Sequence, residues 1–367
     1  MRDYIKRGIK MKLNLKNVLA QFNIETNVES YGNGHINDTY RVNSPESILQ
    51  RINTSIFKNS DELMDNIEKV TAFLREKIIA EGGDPDRETL TVIKTVDGKN
   101  CYKYDDDNVF RVYKFISDTK TVEDDKTLSD LYNAGKGFGK FQKRLDDFPV
   151  ESLYETIVDF HNTPKRVEAL KKAIEEDKVG RAELVHDEIN FALKNAEFAD
   201  KVIKGIEKGD IPVRVTHNDT KINNILFDAV TGEAVCVIDL DTVMPGSMLY
   251  DFGDALRMGG STAAEDEVDL DKVWFDVEAF KYFANGYFSE MKDYLTDAEK
   301  ELIPFSVKLL TYECGIRFLT DYLNGDTYFK IHRENHNLDR ARNQFKLVQD
   351  MADKEEEMKK IIEGMNF

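Results

Sequence analysis

Residues 213–257 read VRVTHNDTKINNILFDAVTGEAVCVIDLDTVMPGSMLYDFGDALR. An apolar run at 213–215 ends in the polar cluster His217, Asn218, Asp219, Thr220, Lys221, Asn223 and Asn224. A second run, 225–227, leads through a turn containing Thr231-Gly232 to a third, 234–238, which closes on Asp239 and Asp241. Runs this short, rich in Val and Ile and bounded by turn residues, predict small buried strands rather than helices. Two strands joined by a tight turn bring Asn224 near Asp239, with Asp219 on the loop before them.

That arrangement has a chemical use. The spacing H-x-D-x-x-x-x-N, followed by an apolar strand and another Asp, is how kinase-like folds arrange phosphoryl transfer. One carboxylate orients and deprotonates the attacking hydroxyl, while an amide oxygen and a second carboxylate hold magnesium against the nucleotide phosphates. Magnesium is a hard cation that keeps several waters and takes few protein oxygens, so the ligand types suit it. The expected roles are Asp219 as base and Asn224 and Asp239 as metal ligands. Singly, each residue has a plainer reading: His217 as a loop or core histidine, Asp239 as a cap or turn closure, Asn223-Asn224 as a turn. Their order between these strands favours the chemical one.

His217-Asn218-Asp219 through Asn224, then Val237-Ile238-Asp239, then Tyr250-Asp251-Phe252-Gly253-Asp254, resembles the aminoglycoside phosphotransferase and choline kinase-like family. The strings YGNGHINDTY (31–40), ILQRIN (48–53), THNDTKINN (216–224), VIDLDTVMPG (237–246) and RFLTDYLNGDTYFK (317–330) resemble one branch of it, the N-acetylhexosamine 1-kinases. They cover most of the chain. The resemblance implies an α+β, two-lobed protein-kinase-like fold, with a small antiparallel-sheet lobe at 1–116 and a larger, mostly helical lobe at 117–367. It also implies ATP and Mg2+ as cofactors.

The whole-chain numbers bound the partners. A chain of 367 residues suits two or three domains, and a net charge of −18 with pI near 4.9 argues against nucleic acid and anionic membrane surfaces. A nucleotide is compatible, because magnesium and a few local cations carry that contact. The three cysteines, Cys101, Cys236 and Cys314, lack metal-ligand spacing and read as reduced thiols. With no apolar stretch long enough to span a bilayer and no signal-peptide pattern at the basic start, a cytoplasmic protein is expected.

In the first third, Gly32-Asn33-Gly34 centres a predicted hairpin over 27–42, which reads either as an ordinary turn or as a phosphate-approaching loop. The resemblance makes it the nucleotide loop, with Gly34, His35 and Asn37 as phosphate contacts. A strand over 48–52 carries Arg51, or Gln50, where the family has a phosphate-reaching lysine; Glu68 on the helix predicted over 59–80 is its expected partner, a surface pair being the alternative. A hairpin over 89–104 across Asp97-Gly98 and a strand over 109–116 complete a sheet of about five strands. Residues 115–118 then form the hinge, where backbone groups of Phe115 and Ile116 meet an adenine.

A helix over 121–145 opens on a Thr-x-x-Asp cap, and its glycines 135, 137 and 139 imply close packing against a neighbour. The charged region 165–208 reads as solvated helices. Asp251 and Asp254 read as structural. Arg317 has Asp321 four residues on, an ordinary helix ion pair; the resemblance instead places Arg317, Tyr328 and Thr242 against the sugar. The tail 350–367 reads as a charged helix.

The expected activity is ATP-dependent phosphorylation of the anomeric hydroxyl of an N-acetylhexosamine. A kinase for a cationic alcohol, such as an aminoglycoside or choline, is the nearer alternative, and a catalytically silent nucleotide-binding protein the more distant one.

Overall fold

The computed structural model describes residues 13–32, 37–123 and 125–365. The chain divides into two compact units, one of 1–68 with 91–116, the other of 69–90 with 117–367.

The first unit is an antiparallel sheet. Its strands are β1 (Val28–Ser30), β2 (Asp38–Asn43), β3 (Glu46–Ile52), β4 (Val92–Ile93), β5 (Tyr102–Asp105) and β6 (Asn108–Lys114), in the order β1-β2-β3-β6-β4, with β5 also on β6. Strand periodicity sorts the two faces: opposite pairs Leu49–Val112 and Gln50–Arg111 point to opposite sides. Leu49, Val112, Val42 and Phe110 pack with Val18, Leu19 and Phe22, from and just beyond helix α1 (Leu15–Ala20). On the other face, buried Arg111 donates through Nε to Gln50 Oε1 (3.0 Å) and reaches Met64 Sδ (3.9 Å) of helix α2 (Ser60–Ala80).

Two expectations change here. The 89–104 hairpin is not a paired ladder: β4 and β5 both pair with β6, at Val112–Tyr113 and Asn108–Phe110 respectively. The seven-residue β6 has room for both short strands end to end on one edge, so only the local turn survives, with Thr95 N donating to Lys99 O (2.9 Å). Nor does Glu68 pair with Arg51. Arg51 meets Asp38 across β2–β3 and donates to Asn108 (3.1 Å), while Glu68 takes Lys94.

The second unit holds the rest of α2, then α3 (Pro85–Glu88), β7 (Thr119–Lys120), α4 (Leu128–Arg144), α5 (Thr163–Glu176), α6 (His186–Asn195), α7 (Lys201–Lys208), β8 (Arg214–Thr216), β9 (Ile225–Asp228), β10 (Ala234–Val237), β11 (Met244–Gly246), α8 (Met248–Gly259), α9 (Val277–Met291), α10 (Asp297–Leu323) and α11 (His336–Glu363). The cap of helix α4 lies six residues after the predicted one, and Thr119–Lys120 is drawn into pairing with β9. A second Thr-x-x-Asp, Thr127 with Asp130, supplies the capping box. The glycines act as expected: a Cβ on Gly135 would lie 2.1 Å from Phe283 O and one on Gly286 1.9 Å from Tyr132 O, so α4 and α9 touch backbone to backbone. Helix α11 begins well before 350 and buries Leu338, Phe345 and Val348 against Tyr312, Ile316 and Leu319 of α10. Arg214 ties β8 to α10 through Glu299 (2.8 Å). No helix is long and apolar enough to cross a membrane among the described residues.

Candidate active site

The stretch 213–257 folds as two small antiparallel pairs with a loop between them: β8 pairs β11 and β9 pairs β10. Close approach of the first pair requires Gly246, where a Cβ would sit 2.3 Å from Thr216 Oγ1. The second pair matches Val237 to Ile225, and Ile238 N donates to Asn224 O (2.9 Å), so Asn224 and Asp239 emerge at the same end of the hairpin. His217 Nε2 lies 2.8 Å from Ile238 O, which makes Nε2 the protonated nitrogen and leaves Nδ1 to accept from Asp219 N (3.3 Å). The ring fastens the loop to the strand end and rests edge-on against Phe138 and Phe141.

The loop backbone is held from below by α8. Buried Asp251 accepts from His217 N (2.8 Å), Asn218 N (2.7 Å) and Gln142 Nε2 (2.6 Å); burial pushes its carboxyl up against the pull of these donors. Asp254 accepts from Thr220 N (3.0 Å) and is paired with Arg257 (3.2 Å). Both aspartates are structural supports, one turn apart because the helix repeats every 3.6 residues. Asn218 is left-handed at φ 62°, with Nδ2 donating to Thr242 O (2.8 Å).

Three of the expected residues are gathered here. Asn224 Nδ2 donates to Asp219 O (2.8 Å) and reaches Asp219 Oδ2 (3.3 Å), which turns Oδ1, the atom a cation can use, to the other side of the amide. Lys221 Nζ lies 3.1 Å from Asp219 Oδ2 and feels the charges of Asp239 and Asp254 as well, so the two loop-end carboxylates share one ammonium. Burial raises the Asp219 carboxyl, but Lys221 overcomes this and holds it below its ordinary value; Asp219 in turn holds Lys221 well above its own. Lys221 was not singled out from the sequence, although its place two residues after Asp219 was visible. Among the described residues, no cluster of three or more His, Cys, Asp or Glu stands ready to hold a metal, so a cation held by Asn224 Oδ1 and Asp239 must complete its shell from water and phosphate oxygens, the habit of magnesium.

Other expectations fall elsewhere. Thr242, expected against the sugar, is buried and its hydroxyl donates to His217 O (2.6 Å), which supports the loop. Arg317 makes no ion pair with Asp321: its guanidinium lies over the rings of Phe160 (5.5 Å) and Phe329 (5.6 Å). Asp321 instead accepts from Thr327 N (2.9 Å), Tyr328 N (2.8 Å) and Phe329 N (2.9 Å). Tyr328 is exposed and stands edge-on to Phe329, the ring that Arg317 covers. In the sheet unit, Asn37 is buried and accepts from Asn53 N (2.9 Å), linking β2 to the end of β3, and Phe115 N donates to Glu46 O (3.2 Å), so that hinge donor is already used. Ile116 is buried. Gly34 and His35 lie outside the described residues.

The model of the phosphotransferase enzyme family matches residues 27–275. Among solved structures, the chain is similar to an aminoglycoside phosphotransferase from Alicyclobacillus acidocaldarius, at 13% identity and TM-score 0.60 over 97% of this chain and 98% of that one. It is similar to the microcompartment-associated aminopropanol kinase, at 15% and 0.58 over 94% and 98%, and to a Plasmodium vivax ethanolamine kinase, at 16% and 0.52 over 89% and 83%. At such identities the likeness shows the fold, the α+β protein-kinase-like one that the resemblance implied. The family match spans more than half of the chain and includes the whole loop from His217 to Asp239: the chain belongs to the phosphotransferase enzyme family.

Proposed function

We propose that the chain is an ATP- and magnesium-dependent kinase that phosphorylates the anomeric hydroxyl of an N-acetylhexosamine. The observation that carries the reading is the gathering of Asp219, Lys221, Asn224 and the end of the β9–β10 hairpin around one charged pair. Bound magnesium-ATP supplies the phosphoryl group and neutralises the charge that develops on it; Asn224 Oδ1 and Asp239 would hold the ion. Asp219 would orient the sugar hydroxyl and take its proton as the γ-phosphoryl group passes from its bridging oxygen to the sugar oxygen, with ADP as the leaving group. A carboxyl held below its ordinary value is a weak base, which suits a loose transition state in which catalysis is mostly positioning. Lys221 keeps Asp219 charged until substrate arrives.

The sugar assignment is supported by the surroundings of Arg317. A guanidinium set between Phe160 and Phe329 repels a cationic alcohol, while aromatic faces suit a neutral sugar ring. Turnover is to be measured on N-acetylglucosamine, N-acetylgalactosamine, choline and kanamycin, with Asp219→Ala as the control. The expected result is turnover on the N-acetylhexosamines, abolished in Asp219→Ala. Activity confined to the cations rejects the sugar assignment, and an unchanged Asp219→Ala removes that carboxylate from the reaction.

A further inference from the structure

Asn218, the residue before Asp219, is held at both of its backbone polar groups. The Asn218 N–H is taken by Asp251, and on the opposite side the Asn218 carbonyl faces Nε2 of His161 at 3.0 Å. His161 comes from the loop before α5, far from the motif in sequence. The residue is 8% exposed, its ring tilted against Phe160 (4.6 Å) and Tyr250 (5.2 Å). Its other nitrogen, Nδ1, lies 2.8 Å from Oε1 of Glu313, which is 1% exposed and whose Oε2 accepts from Thr163 Oγ1 (2.6 Å).

Both ring nitrogens therefore face oxygens. A peptide carbonyl never donates, and the Glu313 carboxylate already accepts a hydroxyl. A neutral imidazole has one N–H and satisfies one of the two, whereas an imidazolium satisfies both. We infer that His161 is a positioning residue: a buried imidazolium, balanced by Glu313, that donates to the Asn218 carbonyl and thereby fixes the direction of the Asp219 carboxylate. The inference rests on the reading of Asp219 as the residue that orients the acceptor hydroxyl.

The charges around the ring agree. Burial pulls His161 down, but Glu313 outweighs it, with Asp254 of α8 adding, and holds the imidazole above its ordinary value. Glu313 is raised by burial and lowered further by His161 and by Arg317 one turn along α10. Arg166 of α5 also interacts with Glu313, and Tyr250 of α8 is pushed up by burial and stays neutral. The signs define a window. His161 gives stability that is complete below the ordinary histidine value and lost as pH rises through its raised folded value. Glu313 gives stability that is complete above the ordinary glutamate value and lost as pH falls through its lowered one. Above the window the ring keeps one N–H, and one grip is released.

Two measurements test this on the full chain. The first needs no substrate: the ring nitrogens of histidine-labelled protein are followed by NMR, with His161→Asn identifying the signal. Both nitrogens of His161 should be protonated at neutral pH and lose a proton only on the alkaline side; a ring with one N–H at neutral pH overturns the inference. The second compares steady-state kinetics. His161→Asn should lower kcat by about tenfold to a hundredfold while KM for ATP changes less than about threefold. The wild-type kcat should fall at alkaline pH. In Glu313→Gln the amide can donate to Nδ1 of a neutral ring and keep Nε2–H on Asn218, so kcat should stay within about fivefold and the alkaline fall should vanish. A His161→Asn kcat within about twofold of wild type, or an unchanged alkaline fall in Glu313→Gln, overturns the inference. If His161→Asn fails to fold, Glu313→Gln carries the kinetic test. Absence of transfer from ATP to any alcohol by the wild type sinks the kinase reading instead, and the ring signal still decides the grip.

Discussion

Replacing Asp251 by asparagine should separate holding the loop from performing chemistry on it. The side chain is 2% exposed; Oδ2 accepts from His217 N and Gln142 Nε2, and Oδ1 from Asn218 N. Asp251→Asn keeps the shape and exchanges one acceptor for an NH2 group. Placed at the Oδ2 side, that group can be met by Gln142, whose amide turns to accept, but it confronts the His217 N–H. One charge-assisted hydrogen bond is lost, about 1.5–3 kcal/mol, and a buried N–H without an acceptor costs roughly 1–3 kcal/mol more. The total, roughly 3–6 kcal/mol, lowers the melting midpoint by about 6–12 °C at roughly 2 °C per kcal/mol for a unit of this size. The kinetic loss is of another kind: loosening the peptide before Asp219 should lower kcat about a hundredfold, with KM for ATP little changed. Calorimetry and initial rates read the two effects. A midpoint within about 2 °C of wild type, together with an undiminished kcat, refutes the claim that this carboxylate holds the loop.

Two further perturbations probe other parts. Gly135→Ala puts a methyl 2.1 Å from the Phe283 carbonyl and should destabilise the second unit by about 3 kcal/mol as α4 and α9 move apart; an unshifted denaturant midpoint would contradict the backbone contact. Lys94→Ala leaves Glu68 without the cation it meets across the sheet unit; if that pair is the counterpart of the one expected from Arg51, KM for ATP should rise severalfold with kcat nearly kept, and an unaltered KM would return it to an ordinary surface ion pair.

Local features were legible in the residues, and partnerships between distant segments were not. Asn224 and Asp239 could be brought together on paper because a short turn fixes the register of β9 and β10, and the glycines of α4 announced a close neighbour without naming α9. Alternation marks a strand but does not say which edge it joins, so β4 and β5 were paired with each other instead of with β6. Thr121 and Thr127 both begin Thr-x-x-Asp strings, and nothing local shows that β9 claims 119–120 and leaves the second to cap α4. Arg51 sat at the expected point on β3, yet Asp38 opposite it on β2 and Lys94 opposite Glu68 redistribute the charges. His161 and Glu313 are 152 positions apart. A histidine before Asn-Thr-Pro reads as a loop residue, and a glutamate in the middle of a long helix gives no sign that it is buried.

The carboxylate of Asp321 receives three consecutive amides, those of residues 327–329, and also the Asn337 side chain at the start of α11. Tyr328 is thus mortised to the helix that carries Arg317, one turn behind it, and the two travel as a single piece. Exchanging the side chain at 328 changes what is presented beside Phe329 without moving the backbone that presents it. On the function proposed above, this short segment is the place to retune acceptor choice apart from the loop that carries Asp219.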